Sequence, residues 1–263
     1  KGLFSDTMIV AHLLGEPSVG LKALAFTKLG VEMTNIETLI GKGSKQISMA
    51  QVAVEAAAPY AAADAEVTLR LVPLLSEKMA KHNCTDIFNK MEMPLVPVLI
   101  SMEKAGISLD ADFFSRFSAE MGERVKLIED EVYQAAGHTF NLNSTQQLSK
   151  VLFEDLKLEP PDRNKKTSSG HFSTSAAVLD ELKGQHPVVD LLLEYRELSK
   201  LKSTYLDSLP LQINPRDNRV HTSFNQTGSV TGRLASSNPN LQNIPTRTEL
   251  GRKVRNGFIA APG

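Results

Sequence analysis

Apolar residues recur at helical spacing through most of this 263-residue chain, and they change to strand-like alternation only after Pro210. Glycines such as Gly30, Gly106 and Gly137 follow the apolar stretches, where they favour helix ends. No apolar run is long enough to cross a bilayer. The pattern therefore predicts a mostly α fold with α+β elements, in which a helical body precedes the first strands of a sheet.

Several residues predict where individual helices begin. Caps are expected at Ser5, at Asp110 and at two capping-box pairs, Thr34 with Glu37 and Ser144 with Gln147. Pro59 lies inside the Ala-rich segment 50–80, where we expect it to kink or restart the helix. The stretch 41–45 lacks the spacing of a phosphate-binding P-loop and is interpreted as a flexible loop.

Charge is distributed unevenly along the chain. The whole chain has a formal net charge of −1, whereas residues 196–263 carry ten basic and four acidic side chains, a net charge of +6. A basic segment of this kind favours phosphate binding.

The single cysteine, Cys84, excludes an internal disulfide framework and fits a reducing cytoplasm. The chain starts at Lys1 without Met and stops at Gly263, just after a strand-like stretch, so we expect both ends to be cuts through a larger protein.

The clearest functional signal lies in the C-terminal segment. An apolar stretch at residues 220–224 precedes Thr-Gly-Arg-Leu at 231–234, Asn-Pro-Asn-Leu-Gln-Asn-Ile-Pro at 238–245 and Gly-Arg-Lys-Val-Arg at 251–255. These motifs combine one fixed arginine, several amides and a basic cluster, with almost no acid among them. Such a surface suits a polyanion and the edges of stacked bases.

In this order, the motifs resemble the start of the polymerase palm in the family A DNA polymerases. The resemblance covers essentially the whole chain, without a large insertion. It implies that Arg233 reaches the primer-terminal base pair, and that Asn240, Gln242 and Asn243 contact the duplex and template nearby. Minor-groove acceptors occupy similar positions in every correct pair, so arginine and amide donors there can check the shape of a pair without favouring one sequence.

A second group of motifs resembles the thumb of the same family. Three segments match parts of the thumb that contact the DNA backbone: residues 140–148, 173–175 and 194–205. The resemblance implies phosphate contacts from five side chains: Asn141, Ser144, Thr174, Arg196 and Lys200. Arg196 and Lys200 are four residues apart on a helix, and Lys202 flanks them. The apolar stripe of this helix lies on another face, so we expect all three cations to point outward.

A third group of residues has the spacing of a nuclease site. Tyr60 and Asp64 share one face of a helix, and Asp6 lies at the first turn of the first helix. Two carboxylates and a phenol can hold a divalent metal and orient a water against a phosphodiester, but this spacing on an Ala-rich helix is more often structural. Residues 4–8 and 60–65 resemble the second and third motifs of the family's 3′–5′ exonuclease. The resemblance implies that Asp6 and Asp64 ligate metal and that Tyr60 positions the attacking water, although the first motif, an upstream Asp-x-Glu, is not in this chain.

The resemblance also predicts how the chain is organised. Residues 1–84 are expected to be the C-terminal part of an RNase H-like 3′–5′ exonuclease domain, 85–110 a bridge and the base of the palm, 111–209 a helical thumb and 210–263 the first strands of the palm. The implied parent is a DNA-directed DNA polymerase that uses Mg²⁺ and deoxynucleoside triphosphates to extend a primer in replication and repair. Its polymerase metal ligands, the rest of the palm and the fingers are expected outside these residues, on the same or a companion chain.

Two alternatives from other functional classes remain open. The chain could be a stand-alone DNA-binding module without catalysis, or a fragment of a metal-dependent 3′–5′ exonuclease. The polymerase hypothesis predicts primer–template duplex DNA as the partner, no membrane, and a location in the bacterial cytoplasm at the nucleoid. An Asp-Tyr-Ser strand encoded directly after Gly263 would favour the polymerase, whereas the exonuclease requires an intact Asp-x-Glu upstream of Lys1.

Overall fold

The computed structural model describes residues 3–162 and 166–260, and most of these residues are helical. The α-helices in this part of the chain are α1 (Thr7–Leu13), α2 (Leu21–Leu24), α3 (Glu37–Ile40), α4 (Val54–Lys81), α5 (Thr85–Ile87), α6 (Met93–Ala105), α7 (Ala111–Ala136), α8 (Thr145–Lys150), α9 (Ala176–Glu181), α10 (Pro187–Leu201) and α11 (Glu249–Arg255). The strands are β1 (Ile107–Leu109), β2 (Arg219–Val220), β3 (Ser223–Asn225), β4 (Ala235–Ser237) and β5 (Phe258–Ile259). The predicted mostly α fold with α+β elements is confirmed. The two chain ends, on which the expectation of a larger protein depends, lie outside the described residues.

The chain divides into two units. Unit 1 comprises Lys1–Gly106 with Thr222–Gln242, and unit 2 comprises Ile107–His221 with Asn243–Gly263. The C-terminal polar segment is therefore shared, because β3 and β4 belong to unit 1 whereas α11 and β5 belong to unit 2. No helix in the described ranges combines the length and the apolar character that a membrane crossing requires.

The core of unit 1 forms where α1 and α2 pack against α4. Every fourth residue of α4 from Val67 to Met79 is buried, since this spacing places the side chains on one face of the helix. These side chains share one core with Ile9, Val10 and Leu24. Burial of this apolar face holds α4 in place and thereby positions the residues on its other faces.

Helix α4 is continuous through both of its prolines, Pro59 and Pro73. The predicted restart of the helix at Pro59 is therefore wrong. Pro59 lies close to the first helical residue, Val54, so its missing N–H removes only one backbone hydrogen bond near the start of a 28-residue helix.

The apolar stretch 220–224 is divided between two sheets. Val220, in β2, pairs with Ile107 of β1 in unit 2, whereas Phe224, in β3, pairs with Ser236 of β4 in unit 1. Both pairings are antiparallel. The Phe224 backbone N–H also donates to the Glu103 carboxylate at 2.6 Å, which attaches β3 to α6. The β3–β4 hairpin is therefore attached to the helical part of unit 1 through α6.

In unit 2, α7 and α10 pack along each other and bury large side chains such as Phe114 and Leu192. The sheet of this unit has the antiparallel order β2–β1–β5. The turn before β5 brings Gly257 against α7. A Cβ atom at Gly257 would lie 2.3 Å from Cε2 of Phe114 and 2.8 Å from Cδ1 of Phe113. Only glycine fits this close approach without displacement of the two rings.

The predicted ends of α7 are confirmed. The Asp110 carboxylate accepts a hydrogen bond from the Phe113 N–H at 2.8 Å, and Gly137 ends the helix in the left-handed region with φ of 76°. The predicted capping box of Thr34 with Glu37 is wrong, because α3 begins at Glu37 without a side-chain cap.

The cap of α1 is Asp6, not Ser5. Asp6 is extended, and its Oδ1 accepts hydrogen bonds from the N–H groups of Met8 at 2.8 Å and Ile9 at 3.1 Å. Both donors belong to the first turn, whose N–H groups have no partner within the helix. A residue that the sequence predicted as a metal ligand therefore also has a structural role.

We expect Gly257→Ala to destabilise the chain by roughly 1–3 kcal/mol, since the new methyl group overpacks the buried Phe114 ring. Urea unfolding measures the change. Gly20→Ala is the matched control, because the nearest atom to its new Cβ is Ser18 Oγ at 3.9 Å. Equal unfolding free energies for the two variants would contradict the packing of β5 against α7.

We expect Asp6→Ala to lower the free energy of unfolding by about 1 kcal/mol, whereas Asp6→Asn changes it by only a few tenths, because the Asn oxygen still accepts from Met8 and Ile9. Urea unfolding also measures this pair. If Asn were as destabilising as Ala, the carboxylate charge rather than the hydrogen-bond acceptor would be what stabilises α1.

Candidate nucleic-acid interface

The predicted exonuclease residues lie in unit 1, with Asp6 just before α1 and Tyr60 and Asp64 on α4. Tyr60 and Asp64 line a cavity of about 140 Å³, together with Met33 and Thr34. The Lys22 ammonium lies 5.6 Å from the centroid of the Tyr60 ring. Burial, and then the neighbouring Asp64 carboxylate, raise the pKa of the Tyr60 phenol, so the phenol keeps its proton at neutral pH and remains a hydrogen-bond donor.

The carboxylates of this region do not complete a metal-binding set. No group of three or more His, Cys, Asp or Glu side chains is placed to hold a metal ion among residues 3–162 and 166–260. One oxygen of Asp6 is already engaged by the start of α1. The roles of Asp6 and Asp64 as metal ligands and of Tyr60 as the group that positions water stay predictions, and no reaction step is derived from them.

Two of the predicted thumb residues, Asn141 and Ser144, precede α8 in unit 2. Ser144 caps this helix, and its Oγ accepts a hydrogen bond from the Gln147 N–H at 3.3 Å. The Gln147 side chain accepts from the Asn141 N–H at 2.8 Å instead of completing the predicted capping box. The Asn141 side chain accepts from the Asn143 N–H at 2.9 Å. Its oxygen therefore faces the loop, and a phosphate contact from the exposed Asn141 would use its NH₂ group.

Arg196 does not point freely outward as expected. Its guanidinium donates to the backbone carbonyl of Thr174 and, at 3.3 Å, to the Thr174 hydroxyl. Burial lowers the pKa of Arg196. Thr174 is itself only 3% exposed, so its side chain serves to hold the guanidinium. Phosphate contacts from Arg196 and Thr174 stay predictions.

The two lysines that follow Arg196, Lys200 on α10 and Lys202 just after it, differ in whether their charge is used inside the chain. Lys200 is exposed, and in the described part of the chain no acidic group pairs with its ammonium. Lys202 donates to Ser118 at 3.0 Å and to both carboxylate oxygens of Asp207 at 2.9 and 2.8 Å. The expectation that all three cations point outward holds for Lys200 and is wrong for Arg196 and Lys202.

Arg233 lies in unit 1, in the loop that connects β3 to β4. The side chain is exposed, and no described residue accepts a hydrogen bond from it or pairs with its charge. The preceding Gly232 has φ of 72°, which turns the chain just before Arg233. The guanidinium is therefore available to a ligand outside the chain.

The amides of Asn240 and Gln242 are held around a buried serine of β4, Ser236. The Ser236 hydroxyl lies 3.2 Å from Asn240 Oδ1, and the Ser236 N–H donates to Gln242 Oε1 at 3.0 Å. The backbone N–H groups of Leu241 and Gln242 point back at the same serine oxygen, at 3.2 and 3.3 Å. Both amide side chains remain exposed beyond these contacts.

Asn243 follows in unit 2. Its side chain is exposed, and its backbone carbonyl accepts a hydrogen bond of 2.5 Å from the buried Tyr205 hydroxyl. Burial raises the pKa of Tyr205, so the phenol keeps its proton and remains the donor. The carbonyl of the next residue, Ile244, accepts from Arg255 at 3.4 Å. Arg255 is thus used inside unit 2, as are the other two cations of the C-terminal basic cluster, Arg252 and Lys253.

Sequence reasoning missed three residues that shape these surfaces: Ser236, Thr222 and Tyr205. The Thr222 hydroxyl lies 3.1 and 2.7 Å from the carbonyl oxygens of Ser237 and Pro239, to which it donates. Nothing in the sequence distinguishes Ser236 from its neighbour Ser237. Strand alternation offers the one usable signal, since Ser236 and Ser237 must lie on opposite faces of β4.

Comparisons with known proteins agree with the resemblance. Residues 1–80 match the profile of the 3′-5′ exonuclease family, and residues 111–263 match that of DNA polymerase family A. The chain is 50% identical over 267 aligned residues to DNA polymerase I of Chloroflexus aurantiacus and 43% identical over 267 to that of Pseudomonas aeruginosa, in each case over 100% of this chain. These alignments cover 28% and 29% of the two relatives, so the chain spans less than a third of their length.

A solved structure has a similar fold. The POL domain of Pol1 from M. smegmatis, in complex with DNA primer-template and dNTP, superposes with a TM-score of 0.83 at 34% sequence identity. The superposition covers 100% of this chain and 42% of the other. The predicted family resemblance is therefore confirmed: the chain belongs to DNA polymerase family A.

Proposed function

We propose that this chain is part of a DNA-directed DNA polymerase and that it binds the primer–template duplex from which the enzyme extends a primer 3′ end. The observation that carries the proposal is the unpartnered, exposed Arg233, together with two amides of the same unit whose oxygens are turned inward. The similar M. smegmatis protein was solved with DNA primer-template and dNTP, which supports the same ligands here. No observation favours a stand-alone binding module or an exonuclease fragment.

In this proposal Arg233 is the group that senses the primer-terminal pair. Each correct pair places a purine N3 or pyrimidine O2 acceptor at a similar place in the minor groove. A guanidinium without an internal partner donates to these acceptors and loses its contact when a mispair displaces them. The amide donors of Asn240, Gln242 and Asn243 extend the same chemistry along the duplex.

Unit 2 supplies the backbone contacts of the proposal. Lys200 offers an exposed charge, Asn141 an exposed amide, and Ser144 a hydroxyl at the start of α8. Arg196, fixed by Thr174, adds a positioned guanidinium. Contacts of this kind hold DNA without reading its sequence, as a polymerase requires.

The remaining parts of the proposal concern the whole enzyme. Residues on the same or a companion chain provide the rest of the palm, the fingers and the carboxylates for Mg²⁺, which supplies charge stabilisation during nucleotidyl transfer. Deoxynucleoside triphosphates bind there. The bacterial relatives named DNA polymerase I support a role in replication and repair, in the cytoplasm at the nucleoid.

In the complete polymerase, we expect Arg233→Ala to slow primer extension roughly 10- to 100-fold, because a charged hydrogen bond worth about 1.4–2.8 kcal/mol is lost at the reacting end. Duplex affinity should change much less. Single-turnover extension and equilibrium binding measure the two quantities. Arg216→Ala is the matched control, since Arg216 is an exposed arginine in a turn of unit 2. Equal extension rates for Arg233→Ala and the parent would refute the role.

We expect Lys200→Ala to reduce the steepness of the dependence of log K on log salt by about 0.9, since one fewer phosphate is neutralised. Lys202→Ala is the matched control on the same helix segment. Its charge is already paired with Asp207, so its loss should lower stability but leave the salt dependence unchanged. Titrations of duplex DNA at several salt concentrations give the slopes. A slope that responded to Lys202 and not to Lys200 would contradict the assignment.

A further inference from the structure

We propose that Ser236 is a positioning residue that decides which end of two amides faces the DNA. It holds the oxygen ends of Asn240 and Gln242 inward, so that their NH₂ groups face outward as hydrogen-bond donors. The inference rests on the proposed function, because it states how the amides near Arg233 take part in duplex recognition.

The geometry around Ser236 leaves little freedom to the two amides. Ser236 is 4% exposed and makes four hydrogen bonds with the segment that carries the two amides. A further hydrogen bond runs from the Gln242 N–H to Asn240 Oδ1 at 3.1 Å. Asn240 Oδ1 therefore has two donors, the Ser236 hydroxyl and the Gln242 N–H. Gln242 Oε1 has one, the Ser236 N–H.

The partners fix which amide atom points inward. A backbone N–H can only donate, so the amide atom that it meets must be the oxygen, and this holds for both side chains. Rotation of either amide by half a turn would bring its NH₂ group against a backbone N–H. The NH₂ groups of Asn240 and Gln242 are consequently turned away from β4, and none of the described residues accepts from them.

This orientation matches the chemistry of the minor groove. Every base pair presents acceptors there, whereas a donor occurs only at the guanine amino group. An outward NH₂ group fits every pair, but an outward oxygen would meet acceptors and would favour only guanine. By holding the oxygens inward, Ser236 makes the segment a reader of pair shape instead of base identity.

Neighbouring hydroxyls do not share this role. Thr222 is also buried, but it donates to the backbone carbonyls of Ser237 and Pro239 and contacts neither amide. Ser237 is exposed on the other face of β4. Ser237→Ala is therefore a matched control, because it removes one hydroxyl from the same strand without contact to Asn240 or Gln242.

The test uses the complete polymerase and 3-deazaguanine, in which a C–H group replaces the minor-groove acceptor N3. The analogue is placed at one position at a time near the primer end, and extension rates are compared with those for guanine. We expect the parent to slow about tenfold wherever a protein donor is used. Arg233→Ala identifies the position that the guanidinium reads, and Asn240→Ala and Gln242→Ala identify the positions that the amides read.

At the amide positions we expect Ser236→Ala to reduce the penalty from about tenfold to less than about twofold. The variant keeps the Ser236 N–H but loses the hydroxyl that donates to Asn240 and accepts from the N–H groups of Leu241 and Gln242, so the segment that carries both amides no longer keeps its path. Ser237→Ala should keep the full penalty, and both variants should keep the penalty at the Arg233 position. A full penalty at every position in Ser236→Ala would overturn the inference and leave the proposed function intact. A parent without any sensitive position would instead overturn the proposed function.

A second variant, Gln242→Glu, keeps the test decisive if Ser236→Ala does not fold. One carboxylate oxygen still accepts from the Ser236 N–H, while the other replaces the outward NH₂ group. We expect stability close to that of the parent, about tenfold slower extension on ordinary DNA, and loss of the analogue penalty at one amide position. Parent-like extension by this variant would overturn the inference.

Discussion

Two buried hydroxyls fix the polar segment that follows β4, and the proposed recognition of DNA depends on them. Thr222 binds carbonyl oxygens of this segment, and Ser236 binds its N–H groups and an amide oxygen. Polar groups that are buried without partners cost free energy, so the segment adopts the path that satisfies them. On that path, the side chains whose NH₂ groups have no partner within the described residues remain exposed. Asn240 and Gln242 are thus available because the backbone groups beside them already have partners.

The cations of unit 2 also differ in this respect: some bond to other groups of the chain, and others remain available to a ligand. Arg196 is committed to Thr174 and Lys202 to Asp207, whereas Lys200 remains exposed. An ion pair or a buried hydrogen bond reduces what a charge can offer to a phosphate, so a count of basic residues overstates the binding surface. The net charge of +6 over residues 196–263 indicated the partner but not the contacts.

Much of the fold could be predicted from the sequence, because its signals are local. Asp110 and Gly137 were correctly placed at the ends of α7, since capping depends on residues a few positions apart. Predictions failed where local signals competed. Ser5 and Asp6 are both good caps, and the structure uses Asp6. Pro59 was expected to kink or restart the helix, but α4 does not restart there, because Pro59 lies near its first turn and removes only one backbone hydrogen bond.

By itself, the sequence determined the mostly helical architecture, the change to strands after Pro210 and the motifs that place the chain in its family. Periodicity, capping and ordered motifs depend on residues that are close together in the sequence, so they can be recognised without the tertiary structure. Only the tertiary structure decided that the stretch 220–224 divides between two sheets and that Ser236, not Ser237, hydrogen-bonds the two amides. It also decided that, of Arg196, Lys200 and Lys202, Lys200 is the one whose charged group has no internal partner among the described residues. Each of these depends on which distant group satisfies a buried donor or acceptor, and only the folded chain brings such groups together.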